Sequence, residues 1–582
     1  MENQKKGEIH MKKILFALFS LAFMLVVVAC GNNDDTPATP SAPVAPAPGG
    51  NETVEPGETL SDQVLAYISQ FGLPEPRFIP QADTPSWMLD TDFDAELTWY
   101  VNYIWWPATE PGDRWVTDFI MDEMNVRITW TSGNDEALNA MLASGNLPDI
   151  ITFGGYNVSL VNDAYMFALP LDVLAAVYDP HFLDIVHPQI QAWMRLDNGH
   201  FYGIPNESLN SDEINAGYAF PGAGFLVRQD IYEAIGRPDM TTPEGFLQAL
   251  RDAQTYMPYD DHGRPLVPFS GDFMNITTND NGAFSGVLQD FLAIPTTVNG
   301  QWYDRDANPE YLAWLLVMRQ AFEEGLISPE QFSLDNEGVN NEFETGRYFA
   351  VMTGNTNDFS SRMNNISTNN PTQQYIAISG PRNSAGDPHT FPAGAINGWT
   401  HTFITQSARD PQTAMQVLTY FWSDHGQMIQ QFGLEGEHFE YVDGTPVWFD
   451  EIQDFISADY YGFRDVWGMR TFWQLRRPGF FTGLGVVPTG PHAEVQLHNR
   501  QFNQARLDFI NLEPTEGQLE RDLENIDLNR SRAIADVLTA SSDEEATQIW
   551  QNFLESRYNG DWNGIIEHRN NRLIINRERL GL

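Results

Sequence analysis

Strand-like and helix-like segments alternate between residues 95 and 153, and this pattern limits the fold more than any other feature of the chain. Among the strand-like segments, one shows alternation of apolar and polar residues and another is rich in aromatic and β-branched residues, whereas apolar residues cluster on one face in the helical segments. The strand-like segments are 95–105, 126–130 and 149–153, and the helical ones between them are 113–124 and 135–143. This order with short connections predicts an α/β fold built on an open parallel sheet.

Aromatic side chains follow two of the predicted strands at their carboxyl ends. Trp105 and Trp106 end the first segment, and Tyr156 comes shortly after the third. Ligands of open parallel sheets bind beyond the carboxyl ends of the strands. We therefore expect these aromatic residues to lie near a ligand site.

The chain has 582 residues and a formal net charge of −47. Its length predicts roughly two to four domains or lobes. A surface of this charge repels phosphate groups, and the sequence shows no basic patch, which excludes a nucleic-acid-binding protein. A single apolar stretch near the N-terminus also excludes a transporter with several membrane spans.

The N-terminal segment has the pattern of an export signal. Lys12 and Lys13 precede an apolar run at 14–28 that is too short for a comfortable membrane span, and Cys30, the single cysteine, ends the segment. This order resembles the lipobox of bacterial lipoproteins, whose cysteine becomes a diacylated N-terminus. The resemblance predicts a lipoprotein signal peptide at 1–30 and a lipid anchor at Cys30 on the extracellular face of a Gram-positive cell membrane. An ordinary cleaved signal with a chance cysteine is the alternative.

Residues 31–92 are predicted to form a tether and an N-terminal extension. Pro, Ala, Gly and small polar residues fill 31–56 without apolar periodicity, as in a flexible linker. A short helical pattern follows at 60–71. A lipid anchor and a polar tether would hold a folded body just off a membrane.

Seven short motifs occur in a consistent order along the rest of the chain. They lie at 140–151, 197–205, 225–236, 322–329, 343–352, 404–422 and 433–444. Together they resemble the bacterial extracellular solute-binding proteins of sugar-type ABC importers (family 1), in the long oligosaccharide-binding branch of Gram-positive bacteria. The last motif, GLEGEHFEYVDG, is the most specific for this family.

The resemblance implies a periplasmic-binding-protein-like fold of type II, with two α/β lobes joined by a hinge. Lobe one would comprise 93–224 and 380–450, and lobe two would comprise 225–379 and 451–582. The protein would be a monomer without catalytic residues or cofactors. It would capture an oligosaccharide between the lobes and deliver it to the permease subunits of an ABC transporter.

An oligosaccharide site needs flat aromatic rings for stacking and planar polar groups for paired hydrogen bonds. Asn206 and Glu207 have an alternative role as strand-end residues that satisfy backbone groups. Tryptophans in periodic segments are assigned to the hydrophobic core: Trp115, Trp130, Trp314 and Trp422. The candidate ligand-binding residues are Trp105, Trp106, Tyr156, Asn206, Glu207, Tyr218, Trp399, Trp467, Arg470 and Trp473.

Some members of this family carry a calcium loop of the form Asp-x-Asn-x-Asn-Gly after a Thr-Pro helix. The corresponding segment here has Pro258 in the first ligand position and Leu266 in the ninth. Calcium needs six to eight oxygen ligands, which these positions cannot supply, so no metal site is predicted. The absence of cysteine after Cys30 also excludes disulfides and cysteine-based zinc sites.

Two other functions remain open. A lipid-anchored surface glycoside hydrolase would need a pair of carboxylates across a cleft, and no such pair stands out among the many acids. A peptide- or amino-acid-binding lipoprotein of the same fold is the second alternative. The abundance of aromatic residues and the motif set favour a sugar ligand.

Overall fold

The computed structural model describes residues 60–90, 94–106, 114–271, 284–334, 336–392, 394–468 and 472–582. The predicted signal peptide, Cys30 and the Pro-rich part of the tether lie outside the described residues, as does Arg470.

The strands belong to two main sheets and three short pairings. In chain order they are β1 Ala95–Val101, β2 Val126–Ser132, β3 Ile150–Gly154, β4 Gly203–Pro205, β5 Gly224–Arg228, β6 Val267–Ser270, β7 Thr297–Val298, β8 Gln301–Trp302, β9 Tyr348–Thr353, β10 Tyr375–Ala377, β11 Phe391–Pro392, β12 Thr400–Ile404, β13 Phe439–Val442, β14 Thr445–Trp448 and β15 Asn503–Gln504.

The helices cover both sheets. In chain order they are α1 Asp62–Phe71, α2 Trp115–Glu123, α3 Asp135–Ser144, α4 Val158–Asn162, α5 Leu171–Tyr178, α6 His181–Ile185, α7 Pro188–Met194, α8 Ser211–Asn215, α9 Gln229–Ala234, α10 Pro243–Tyr256, α11 Phe284–Phe291, α12 Pro309–Glu323, α13 Asn336–Glu344, α14 Ser360–Asn369, α15 Pro411–Trp422, α16 Asp424–Phe432, α17 Asp450–Ala458, α18 Tyr460–Trp467, α19 Pro478–Gly483, α20 Pro491–Asn499, α21 Gly517–Thr539, α22 Asp543–Ser556 and α23 Trp562–Leu580.

The first sheet has the strand order β2-β1-β3-β12-β4. Its strands β1, β2 and β3 are parallel, which confirms the predicted β-α-β-α-β unit. β12 runs antiparallel to both β3 and β4. The first strand ends at Val101, earlier than predicted, so residues 102–106 leave the sheet at its carboxyl edge.

The second sheet has the order β10-β5-β9-β6, with β5 antiparallel to both of its neighbours and β6 parallel to β9. Two of its packing helices begin at a capping side chain followed by proline. Thr242 and Asn308 cap α10 and α12, each with a proline at the first helical position.

Each main sheet has its own hydrophobic core, and these two cores define the two lobes. The core of lobe one includes Trp99, Val116 and Phe421, whereas the core of lobe two includes Phe246 and Trp314. The chain passes from one core to the other between Ala219 and Ala223, returns between Phe391 and Ile396, and crosses again between Leu475 and Phe502. These crossings connect the lobes as a hinge does in proteins that close around ligands.

The C-terminal part of the chain divides differently from the predicted lobe boundaries. Phe472 stacks on Phe421 with ring centroids 4.0 Å apart, and Trp467 stacks on Trp115 at 4.8 Å. Phe463, Trp467, Phe472 and Leu475 therefore belong to the core of lobe one, although the predicted boundaries place 451–582 in lobe two. Most of the buried apolar residues from Phe502 onwards pack in the core that contains Phe246 and Trp314.

The N-terminal extension is a folded part of lobe one from residue 60 onwards. Ser61 caps α1 and Gly72 ends it in the left-handed conformation. The Arg77 guanidinium pairs with Asp90 and Asp410. This segment is thus anchored by long-range contacts. Among the described residues, no helix is long and apolar enough to cross a membrane.

Candidate functional site

A cavity of about 840 Å³ lies between the two lobes. Lobe one contributes the start of α3, the segment from Tyr156 to Leu160, and Trp399. Lobe two contributes the end of α11, the segment 302–306, the start of α21, Trp562 and Arg569. Clefts of this size between domains are common ligand sites.

Sheet topology explains why distant aromatic residues meet on the lobe-one side. β1 and β3 are parallel, so the residues after Val101 and Gly154 emerge at the same edge. β12 is antiparallel and pairs Thr400 with Gly154, so the residue before it, Trp399, lies at this edge as well. The edge therefore collects Trp105, Tyr156 and Trp399 from three separate segments.

The aromatic wall is defined here as Tyr103, Trp105, Trp106, Trp399 and Trp473. Trp399 and Trp473 stack with ring centroids 4.4 Å apart. Trp105 is nearly parallel to both, at 6.0 Å from Trp399 and 5.8 Å from Trp473. Trp106 is buried and packs against Trp473 with ring centroids 5.5 Å apart. Four of the predicted tryptophans thus form one cluster.

The members of the aromatic wall differ in their exposure. Trp399 is 41% exposed and lines the cavity. Tyr156, which is not part of the wall, also lines the cavity and is 54% exposed. Trp105 is 50% exposed but does not line the cavity. Trp106 and Trp473 support the exposed rings and do not line the cavity either.

Asn206 positions the aromatic wall through its fully buried side-chain amide. Its Oδ1 accepts hydrogen bonds from the backbone N–H groups of Trp399 at 3.1 Å and Thr400 at 2.7 Å. Its Nδ2 donates to the backbone carbonyl of Trp473 at 3.3 Å. The alternative role considered for Asn206 is the one observed, because its amide joins backbone segments and does not face the cavity.

Two glycine positions allow this close packing. Gly398 has φ of +57°, and a Cβ there would overlap the backbone carbonyl oxygen of Asn206. A Cβ on Gly154 would overlap the Tyr156 ring, and the N–H of Gly155 donates to the Trp399 carbonyl at 2.9 Å. The backbone at Gly398 is therefore one that a larger residue could adopt only with strain, and Gly154 leaves room for the Tyr156 ring.

Glu207 and Tyr218 do not line the cavity. The backbone N–H of Glu207 donates to the carbonyl of Arg476 at 2.8 Å, and its carboxylate lies 3.7 Å from the Arg476 guanidinium. Tyr218 is half-buried beside Gly483. In this structure both residues therefore lie outside the lining of the cavity in which they were predicted to contact a ligand.

Trp467 is buried in the core of lobe one and is therefore misplaced in the predicted site. Its ring packs between those of Trp115 and Phe463, at 4.8 and 5.3 Å, so no face is left for a ligand. The sequence at 467–473 predicts a loop that leads into a helix, but Trp467 ends α18. Arg470, the other polar candidate nearby, lies outside the described residues.

The opposite side of the cavity is built from ion pairs, which the sequence did not indicate. One oxygen of Asp290 accepts from Arg305 at 2.6 Å and from Arg506 at 2.8 Å. Glu513 accepts from Arg569 at 2.9 Å. We call this set, together with Asp306 and Arg530, the ion-paired wall. Acids outnumber arginines among the cavity-lining residues that the structure describes, so the cleft is acidic.

Trp302 is an aromatic residue in the lobe-two side that the sequence reasoning missed. It ends the hairpin β7–β8, whose turn residues Asn299 and Gly300 both have positive φ. The Arg569 guanidinium lies 4.4 Å from the Trp302 ring centroid, and Trp562 meets the ring edge-on at 5.8 Å. The Asn299-Gly300 pair was the signal that could have revealed this hairpin.

The loop at 258–266 does not fit a calcium ion. Asp260 accepts from the backbone N–H groups of His262 and Arg264, and also from the Arg264 guanidinium at 2.8 Å. Arg264 also donates to Thr345 and Glu342. An arginine thus supplies the positive charge beside Asp260. Within the described ranges, no cluster of three or more His, Cys, Asp or Glu could hold a metal ion.

Burial lowers the pKa of several histidines, and the lowering is large for one histidine in each lobe. It lowers the pKa of His401 to about 4, although the ring is hydrogen-bonded to the Asn397 carbonyl. It lowers the pKa of His389 to about 4 as well, against the hydrogen bond to the Phe291 carbonyl. Both rings are therefore neutral at pH 7, and His401 lies directly behind Gly155 at the edge that carries Tyr156.

No family model and no curated protein matches the chain. Solved structures do match its fold. An HMO-binding, ABC-transporter-associated solute-binding protein from Bifidobacterium longum infantis has a TM-score of 0.58 at 12% identity, and the match covers 83% of this chain and 99% of that one. The S. pneumoniae ABC-transporter substrate-binding protein FusA in complex with kestose has a TM-score of 0.58 at 16% identity, covering 82% and 99%.

A third similar structure is the alginate-binding protein AlgQ2 without calcium ion. Its TM-score is 0.52 at 16% identity, and the match covers 83% of this chain and 98% of that one. The near-complete coverage of all three proteins includes both of their lobes. The chain therefore has the two-lobe α/β fold of these solute-binding proteins.

Proposed function

We propose that this protein is the extracellular substrate-binding component of an ABC importer and that it captures an oligosaccharide between its two lobes. The observation that carries the proposal is the inter-lobe cavity with stacked aromatic rings on one side and ion-paired polar groups on the other. Exposed rings stack on sugar faces, and fixed polar groups bind hydroxyls. The similar structures are named as binders of HMO, kestose and alginate, which supports a carbohydrate ligand.

The charge of the cleft favours a neutral sugar over a uronic acid. Carboxylates exceed guanidinium groups in its lining, and the whole chain carries a net charge of −47. An anionic oligosaccharide would be repelled during its approach and within the cleft. The guanidinium groups of the ion-paired wall already hold carboxylates, so they are not free to neutralise a uronate.

A thermal-shift screen of the chain from residue 60 onwards tests the proposal. The panel contains kestose, neutral milk oligosaccharides, N-glycan fragments, cello-, xylo- and malto-oligosaccharides, and alginate oligomers as the anionic control. A ligand that binds only the folded state stabilises it and so raises its melting temperature. At a free ligand concentration of one hundred times the Kd, the stabilisation is about 2.7 kcal/mol. We expect a shift with a neutral oligosaccharide and none with alginate. A shift with alginate alone would contradict the neutral class.

Product analysis after long incubation separates a binding protein from a glycoside hydrolase. Carboxylates of the cleft such as Asp290 and Glu513 accept hydrogen bonds from arginine guanidinium groups, so these oxygens are already engaged within the protein. We expect the oligosaccharide that gives the thermal shift to be recovered intact. Release of shorter products would support the hydrolase alternative.

The proposal that the protein is exported and anchored to the membrane rests on the N-terminal segment. The apolar run at 14–28 followed by Cys30 supports a lipoprotein signal, and two acyl chains give stable anchoring. A protein held at the membrane surface would work as a monomer beside its permease. We expect Cys30→Ala to be released from cells or to remain as an uncleaved precursor. Normal processing and unchanged membrane retention of Cys30→Ala would contradict the anchor.

A further inference from the structure

We propose that the ligand surface continues beyond the inter-lobe cavity onto Trp105, which selects for oligosaccharides longer than the part that the cavity encloses. This inference rests on the proposed function and adds a chain-length preference to it. Its starting point is a difference within the aromatic wall. Trp399 lines the cavity, whereas Trp105 lies outside it and is just as exposed.

Ring geometry shows that Trp105 extends the aromatic surface sideways. Aromatic faces in contact are separated by about 3.5 Å, so two successive stacking steps place the outer rings at least ~7 Å apart. Trp105 is 6.0 Å from Trp399 and 5.8 Å from Trp473, and these two already stack on each other. Trp105 therefore lies beside the stacked pair and does not cover the outward face of Trp399.

The Trp105 ring is also aligned with its neighbour. Its plane is inclined by only 7° to that of Trp399, so the two rings form adjacent flat surfaces with almost the same orientation. Their spacing is similar to the distance between neighbouring rings of a pyranose chain. A chain that stacks one ring on Trp399 can therefore place its next ring on Trp105.

Neighbouring aromatic rings hold the Trp105 side chain in place. Tyr103 packs against it at 5.2 Å, and the buried Trp106 contacts it edge-on at 6.5 Å. A ring held by its neighbours loses little conformational entropy when a ligand binds. The preceding residue, Ile104, is 76% exposed, and Trp105 itself is 50% exposed, so both side chains are accessible to a ligand.

Continuity with the cavity distinguishes this surface from a protein-docking patch. Trp105, Trp399 and Tyr156 occupy the same carboxyl edge of the first sheet. The inner rings supply the stacking for the enclosed part of the sugar. The outer ring is then an additional subsite for the same chain, and its occupant is a neutral, ring-shaped carbohydrate unit.

Calorimetry with Trp105→Ala and Trp399→Ala tests the inference. The probes are the cello-, xylo- and malto-oligosaccharides from disaccharide to hexasaccharide, titrated into the wild type and both variants. For the series that binds the wild type, we expect Trp105→Ala to weaken binding of the longer members by about three- to ten-fold and to leave the shortest bound member unchanged. Trp399→Ala is the matched control and should weaken binding at every length.

The outcomes separate this inference from the proposed function. Equal losses at every length in Trp105→Ala, or no loss at any length, would overturn the outer subsite while the proposed function stands. A change of oligomeric state in Trp105→Ala with unchanged sugar affinity would overturn it too, in favour of a protein contact. If the wild type binds no oligosaccharide in these series or in the wider panel, the proposed function fails and the inference fails with it. Circular dichroism of both variants verifies that they are folded.

Discussion

The two sides of the cleft are built on different physical principles. On lobe one, rings of tryptophan and tyrosine stack on one another and are positioned by backbone hydrogen bonds to Asn206. On lobe two, carboxylates and guanidinium groups hold one another in place around Asp290. Removal of one member of a buried ion pair leaves an uncompensated charge, whereas removal of an exposed ring leaves none.

The largest effect should follow from removing the central acid of the ion-paired wall. Asp290→Ala would leave the guanidinium groups of Arg305 and Arg506, both mostly buried, without their shared partner. Loss of one partner of a buried pair typically costs about 3–5 kcal/mol. Urea unfolding measures the loss. The matched control is Glu233→Ala, which breaks the exposed pair with Arg237 and should leave the unfolding curve unchanged.

If Asp290→Ala unfolds at the same urea concentration as the wild type, the ion pairs around Asp290 do not stabilise the lobe-two side of the cleft as we expect. Measuring Arg506→Met alongside it sharpens the test, since the remaining Asp290 still pairs with Arg305. We expect this variant to lose clearly less stability than Asp290→Ala.

The next effect concerns the backbone of the aromatic wall. Gly398→Ala would combine a strained positive φ with an overlap against the Asn206 carbonyl oxygen. Gly386→Ala is the matched control, because Gly386 has φ of +73° and no heavy atom within 4 Å of an added Cβ. The control should lose about 1 kcal/mol from strain alone, and Gly398→Ala a further ~1–3 kcal/mol from overlap.

Thermal unfolding of both glycine variants gives this comparison directly. Near-UV circular dichroism reports on the tryptophan rings themselves. We expect its signal to change in Gly398→Ala and to stay as in the wild type in Gly386→Ala. Equal stability losses in the two variants would mean that the Asn206 contact does not constrain Trp399.

Acid should destabilise both lobes through their buried histidines. The pKa of His401 and that of His389 are lowered to about 4 by burial, below the value of about 6.5 in an unfolded chain. As the pH falls from about 6.5 to 4, the unfolded chain binds protons that the folded protein resists. Each histidine therefore withdraws roughly 2 kcal/mol of stability by pH 5.

Urea unfolding between pH 7 and pH 4.5 measures this dependence. His401→Gln and His389→Gln should each reduce the acid-induced loss of stability, whatever their effect at pH 7. A pH profile identical to that of the wild type in either variant would show that the histidine in question is not the group that titrates.

The smallest effect is expected on ligand affinity, where the two sides can be compared ring by ring. Trp399→Ala and Trp302→Ala should each weaken binding of the confirmed oligosaccharide by about ten-fold, or about 1.4 kcal/mol, with the fold intact. Isothermal titration calorimetry measures both. The double variant should deviate from additivity if the two rings contact the same part of the ligand across the cleft. If Trp302→Ala binds the oligosaccharide as tightly as the wild type, the sugar does not stack on Trp302, and aromatic stacking is limited to lobe one.

The aromatic wall was largely predictable from local sequence features. Trp105 follows a strand with the apolar pattern of a parallel sheet, and Trp399 lies in an irregular segment just before β12. Trp467 was misplaced because its loop-like sequence gave no sign that it ends a helix packed on Trp115. Asn206 was found, but its side chain proved to join backbone segments.

The ion-paired wall could not be predicted in the same way. Asp290 and Arg506 are separated by 216 positions along the chain, and Arg569 and Glu513 by 56. In a chain with 79 acids, no local pattern marks the few carboxylates that will meet an arginine in the cleft. Trp302 was missed because its hairpin has only two residues in each strand.

The sequence by itself determined the fold class, the parallel unit at 95–154 and the aromatic character of the site, because alternation, helix capping and strand ends depend on neighbours along the chain. Only the tertiary structure decided which rings face the cavity, which one is buried, and which charges pair across the opposite side. Those outcomes depend on sheet order and on the packing of two separate cores, and contacts of that range leave no local pattern in the sequence.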